Sequence, residues 1–264
     1  MQELEPIPEG WNALRGQSRA IAALVAVFGT IALYWTYHGI RAVTEGRFLY
    51  CTFYLCAAAA FASVSALSLL VVLQRHRTDI RAGSLTQGPT GALTIGTSTS
   101  FRSGYMAIVV FGASSCGVFA YGVPSHALSF PMTKGQGLVF PFVVGAIGLF
   151  LLVLGALFAN RRLQFPRIIC TPKQIGVVSF KNSAIASWDD IASIEAVAGQ
   201  KNADLSITST GAAEPLRVNA DLLAVGAVPL YSILRHYLRH PEERGELGDG
   251  RARDRFTGAS AIAE

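Results

Sequence analysis

The sequence predicts an α+β chain in two parts, a bundle of four membrane-spanning helices followed by a small β-module with one C-terminal helix. Four apolar runs reach the roughly 20 residues that a spanning helix needs. From Ala20 to Asn160 long stretches carry no Asp, Glu, Lys or Arg, whereas Arg161 to Glu264 has an ordinary mixed-charge composition. Beyond Leu163 the hydrophobic period shortens toward two, the period of a strand. The expected division is a cytoplasmic segment over 1–19, a spanning domain over 20–160, a β-module over 161–248 and a flexible tail over 249–264.

The expected spans are Ala20 to Ile40, Phe48 to Gln74, Tyr105 to Val123 and Gly137 to Asn160. The third is diluted by Gly112, Ser114, Ser115 and Gly117. The first continues through Tyr34, Trp35 and Tyr37 without a small-residue cleavage pattern, and the second follows within a few residues, so a retained hairpin is expected and not a signal peptide. At 51% hydrophobic, 15% charged and mean hydropathy +0.40, the chain lies on the membrane side of soluble domains.

Arginines orient the spans. Arg15 and Arg19 precede the first; Arg75, Arg77, Arg81 and Arg102 lie between the second and third; Arg161, Arg162 and Arg167 follow the fourth. The other two loops carry Arg41 with Arg47, and Lys134. Both termini are therefore expected to be cytoplasmic. The same arginines account for the net charge of +5. No basic block with interleaved aromatics occurs, so nucleic acid is not an expected partner.

Ala58, Ala62 and Ala66 recur every fourth residue, as do Ala113 and Gly117, the spacing that lets helix backbones approach closely. The alternative is that alanine is simply common in such helices. No ionisable residue occupies a span core, the usual pointer to an ion path or intramembrane catalysis. Pro141 is expected in the first turns of the fourth span, where proline is tolerated. Cys51, Cys56, Cys116 and Cys170 lack the spacing of a zinc site or a redox pair and are expected to pack as small apolar groups. No metal or cofactor follows from them.

In the β-module, LQFPRIIC, QIGVVSF, SAIASW, IASIEAVA, ADLSITST and PLRVNA each read as a strand. Pro229 to Leu247 reads as a helix with Leu230, Ile233, Leu234, Tyr237 and Leu238 on one face, ended or kinked at Pro241. An echo also links QGPTGALTIGTSTSF, 87–101, to CTPKQIGVVSF, 170–180: each has a proline, a nearby glycine, then an alternating run. Either the first docks on the module or the similarity is coincidental.

TPKQIGVVSF, then SWDDIASIEAV, then a terminal amphipathic helix together resemble the bacterial pleckstrin-homology-like domain, over roughly Leu163 to Leu247. LRHYLRHPEERGELG also resembles endings of actinobacterial membrane proteins of this type. Gln174 departs from the pattern, which usually has glycine or an acidic residue there. The resemblance implies a PH-like bent β-barrel or sandwich of seven strands with one C-terminal helix, in a bacterial inner-membrane protein.

Within it, Trp188 is expected as an apolar plug at a strand end, Asp189 and Asp190 as acceptors for turn amides, and Ile191 as a return to the core. Paired carboxylates also serve as acid and base or hold metal, but no third ligand stands nearby. Lys173, Lys181, Lys201 and Arg217 are candidates for a weak anionic head-group patch, interspersed with Asp189, Asp190, Glu195, Asp204 and Glu214. The functional expectation is a non-enzymatic membrane protein whose module binds a protein partner or forms a homo-oligomer. The alternatives are an accessory subunit of a transporter or of an envelope-lipid or export system, and a membrane enzyme. Against the last, GxSxG, HExxH and Walker A motifs are absent from the sequence.

Overall fold

The structure, a computed structural model, describes residues 15–75, 80, 84–88, 91–160, 162–180, 183–198, 203–211 and 214–261. The chain divides into two compact units, one made of Ile21–Leu69 with Ser100–Leu163, the other of Met1–Ala20, Leu70–Thr99 and Gln164–Glu264.

Four long helices supply the first unit: α1 (Arg15–Thr44), α2 (Phe48–Arg75), α3 (Thr99–Gly122) and α4 (Lys134–Ala159). Each contains a stretch long and apolar enough to cross a membrane, at Arg19–Thr44, Phe48–Gln74, Thr99–Gly122 and Lys134–Ala159. Their outer surfaces are apolar: Leu138, Phe142, Leu149 and Phe150 of α4 are all exposed, as are Leu33 and Tyr37 of α1. Water would penalise that surface, whereas hydrocarbon would not.

Inside this unit, Phe28 stacks on Phe61 at 6.0 Å, Trp35 meets Phe53 edge-on at 5.4 Å, and the Ser65 hydroxyl donates to the Val25 carbonyl at 3.0 Å. Close approach of α3 and α4 depends on Gly148, where a Cβ would stand 2.8 Å from Cys116 Cβ. The expected small-residue stripes are only partly used. Ala58 and Ala113 are buried, but Ala62, Ala66 and Gly117 are exposed. Helix α4 starts earlier than expected, capped by Thr133 and Gln136, so Pro141 stands two turns inside it and is buried. Proline there removes one helical hydrogen bond, which spanning helices tolerate.

Among the described residues the second unit has eight strands in two antiparallel sheets. The first runs β1 (Leu85–Gln87), β2 (Leu93–Gly96), β3 (Arg167–Cys170), β4 (Gln174–Val178) and β5 (Ser183–Ser187), neighbours in that order. The second runs β6 (Ile191–Ala198), β7 (Ala203–Ser209) and β8 (Leu216–Asn219). All six expected strands of the module form. The echo segment also joins it: β2 pairs with β3 from Leu93 opposite Cys170 to Gly96 opposite Arg167. A bridge between Thr97 and Leu223 then ties β2 to the turn after β8.

Of the expected bent barrel or sandwich, the two antiparallel sheets are present; among the described residues no closed barrel is found, since no ladder joins β5 to β6. A 3-10 turn at Trp188–Asp190 separates them, and the β6 register then shifts between Ile191 and Ser193. Helix α5 (Ala227–Arg239) buries Leu230, Ile233, Leu234 and Tyr237 against the same core as Ile95, Ile168, Ile175, Leu205 and Ile207. It ends before Pro241, and the chain continues through a 3-10 turn into α6 (Glu246–Asp249) and α7 (Arg251–Ala261). The residues expected as a flexible tail thus include a helix, whose Ala252 and Phe256 lie in the core.

Candidate functional site

Burial alternates along β4, with Ile175 and Val177 inward, which aims the β3–β4 turn at the end of the core. In that turn the Thr171 amide donates to the Gln174 carbonyl at 2.9 Å, and the Gln174 amide to Thr171 Oγ1 at 2.9 Å. Gln174 therefore acts in this turn through its backbone. The Trp188 amide donates to the Lys173 carbonyl at 3.1 Å, and the indole Nε1 to the Thr171 carbonyl at 2.8 Å. Both sequence motifs, TPKQ and WDD, thus form one junction.

Trp188 is 1% exposed and Ile191 is buried, as expected of a plug and a return to the core. The aspartates act differently from expectation. Asp189 Oδ1 accepts from Arg244 Nη1 at 2.8 Å, and it is the Asp190 backbone carbonyl that accepts from Thr210, amide at 2.8 Å and hydroxyl at 2.6 Å. Within the 3-10 turn the Ile191 amide donates to the Trp188 carbonyl, and the Asp189 carboxylate pairs with a cation distant in sequence.

Arg244 was not singled out from the sequence. Its Nε donates to the Tyr237 carbonyl at 2.9 Å, and its guanidinium lies 5.4 Å over the Trp188 ring. It sits in the HPEERGEL segment that follows α5, where the capping-like spacing of proline and acidic residues marks a turn but not a partner. A second cluster joins α7 to the same segment. Arg255 pairs with Glu243 and, at 2.7 Å, with Glu246, and His236 Nε2 lies 2.6 Å from Glu243. The Arg255 guanidinium, then His236, hold the Glu243 carboxyl below its ordinary range. Burial, then the Glu246 charge, push the Tyr237 phenol up.

The β1–β2 hairpin closes on this end as well. Gly91 has φ +78°, and a Cβ there would lie 2.3 Å from the Gly248 carbonyl oxygen, so a side chain is excluded. Cys170 lies wholly inside the core, where burial pushes its thiol up to about 12 and keeps it a neutral packing group.

Of the four patch candidates, the two that lie among the described residues stand on different sheets. Lys173 is exposed in the β3–β4 turn of the first sheet, and Arg217 is exposed on β8 of the second. Lys181 and Lys201 lie outside the described residues. Arg217 instead faces acidic company: desolvation, then the charge of Asp221, push the Asp204 carboxyl up, and Arg217 opposes them. Comparison of the chain with protein-family models, with curated proteins and with solved structures finds no match.

Proposed function

We propose that this chain is an integral inner-membrane protein of a bacterium whose β-unit is a cytoplasmic, PH-like protein-interaction element. The observation that carries the reading is how the motif residues are used. Trp188, Thr171, Asp189 and Arg244 all serve to hold the first sheet to the segment after α5. What the unit then offers to other molecules is its outer faces and strand edges, the parts by which such modules bind proteins. Two antiparallel sheets capped by an amphipathic helix are compatible with the PH-like pattern, and the four apolar helices tether the unit to a bilayer. The arginine asymmetry of the loops supports cytoplasmic termini.

Reporter fusions ending at Thr86 and Arg162 are expected to report cytoplasm, and one ending at His126 the outside. A cytoplasmic signal at His126 overturns the orientation. For the interaction reading, tagged full-length chain extracted in mild detergent is expected to carry a stoichiometric protein partner or to run as a homo-oligomer. Recovery as a lone monomer overturns it.

A further inference from the structure

Strand β5 reads Ser183-Ala184-Ile185-Ala186-Ser187, which is the same in both directions about Ile185. Among the described residues it is the last strand of the five-stranded sheet, paired only with β4. Along that ladder Trp188, one step beyond β5, donates its amide to Lys173. Hydrogen-bonded and non-bonded positions alternate in antiparallel pairs. Ala186 and Ala184 therefore face β4 with their backbone groups, and Ser183, Ile185 and Ser187 direct theirs to the open edge.

Exposed edges are ordinarily guarded by Lys, Pro or a bulge. This one has no charge, no proline and no bulge, and it presents Ile185 at 71% exposure. Ile185 stands opposite Gly176, which stands opposite Ile169 on the next strand. Glycine at that position leaves Ile185 without a side chain directly opposite it in its own sheet.

We propose that β5 is a self-association edge, pairing antiparallel with β5 of a second copy about a two-fold axis at Ile185. This deepens the interaction reading above and rests on it. About a two-fold at Ile185 the register sets Ile185 opposite Ile185, Ala184 opposite Ala186 and Ser183 opposite Ser187, and the palindrome makes every facing pair alike in size and polarity, isoleucine on isoleucine and serine on serine. The open-edge groups of Ser183, Ile185 and Ser187 then bond reciprocally, and the isolated isoleucine gains its counterpart as a neighbour. The two five-stranded sheets become one continuous sheet of ten.

The test uses the full chain in nanodiscs or mild detergent, with Cys51, Cys56 and Cys116 replaced by alanine. In an antiparallel bonded pair the Cα atoms stand about 5.5 Å apart, within reach of a disulfide. Under copper phenanthroline, Ile185→Cys is expected to form a covalent dimer. Ser183→Cys alone is not, because its counterpart lies four residues along, roughly 13 Å away. Mixed Ser183→Cys and Ser187→Cys chains are expected to cross-link to each other.

By light scattering, the wild type is expected at twice the 28.1 kDa protomer mass. Ile185→Lys and Ile185→Pro are expected to halve that value with unchanged circular dichroism. The proline removes an amide that β4 does not use, so it spares the fold. A wild-type monomer, or a dimer unaffected by both variants and not cross-linked through Ile185→Cys, overturns the proposal. A wild-type monomer bound stoichiometrically to a different protein overturns the two-fold alone and leaves the interaction reading standing. A monomer bound to nothing overturns both.

Discussion

The indole Nε1 of Trp188 donates to the carbonyl of Thr171 at 2.8 Å across 17 residues of chain, joining the turn before β4 to the turn after β5. The ring beneath that bond fills the end of the core.

Removing it is expected to be costly in two separable steps. Trp188→Ala leaves a cavity and should destabilise the β-unit by about 3–5 kcal/mol. Trp188→Phe keeps much of the volume but strands the Thr171 carbonyl, at roughly 1–3 kcal/mol. Hydrogen exchange of β3, β4 and β6 in the full chain measures both. Equal protection in Trp188→Ala and wild type would show that the indole is not the plug.

The ion pair under the same ring is expected to be unequal. Arg244 is largely buried, donates to Tyr237 and lies over Trp188, so Arg244→Ala should cost roughly 2–4 kcal/mol. The Asp189 side chain is 86% exposed, and its pair is screened by water and salt, so Asp189→Ala should cost under about 1 kcal/mol. A double-mutant cycle of unfolding midpoints separates the two. A loss as large for Asp189 as for Arg244 would contradict the assignment.

Docking of α7 should weaken in acid. The Glu243 carboxyl is held below its unfolded value, chiefly by the hydrogen bond from Arg255, so its contribution is complete above the ordinary glutamate range and is lost as pH falls through the lower folded value. A nitroxide at Asp254→Cys should stay ordered from neutral pH through the ordinary glutamate range and become mobile only at more acid pH. With Glu243→Gln the step should flatten. Loss of order near pH 7 would implicate a different group.

Helix packing in the first unit should distinguish two glycines. A Cβ at Gly148 would stand 2.8 Å from Cys116 Cβ, and nothing lies within 4 Å of one at Gly117. Gly148→Ala is therefore expected to cost roughly 1–3 kcal/mol through overpacking, read as a lower melting temperature in detergent. Gly117→Ala should leave the melting temperature unchanged or slightly raised. The reverse order would mean that α3 and α4 meet through a different face.

Much of this architecture is local and was legible in the sequence. Bilayer-length apolarity marked Phe48 to Gln74 within a residue of the observed helix, and period-two runs marked all six strands from β3 to β8. Heptad-like spacing marked the buried face of α5. Each of these is a property of neighbouring residues, so a window along the chain contains it. Trp188 as a buried plug followed from the same reasoning, since a large apolar ring at a strand end has few other places to go.

Tertiary structure decided what local pattern does not encode. Residues 93–96 pair with residues 167–170 across two intervening helices, and Asp189 meets Arg244 over 55 residues, because unpaired edges and charges take whichever partner the fold brings near. Helix α7 is polar along most of its length and reads as a tail, yet Ala252 and Phe256 suffice to seat it once Glu243 and Glu246 are placed to receive Arg255. The small-residue stripes were only partly used, for the complementary reason. Spacing alone says which residues share a helix face, and only the neighbouring helix says which face is covered, so Gly148 is packed while Ala62 and Gly117 are not.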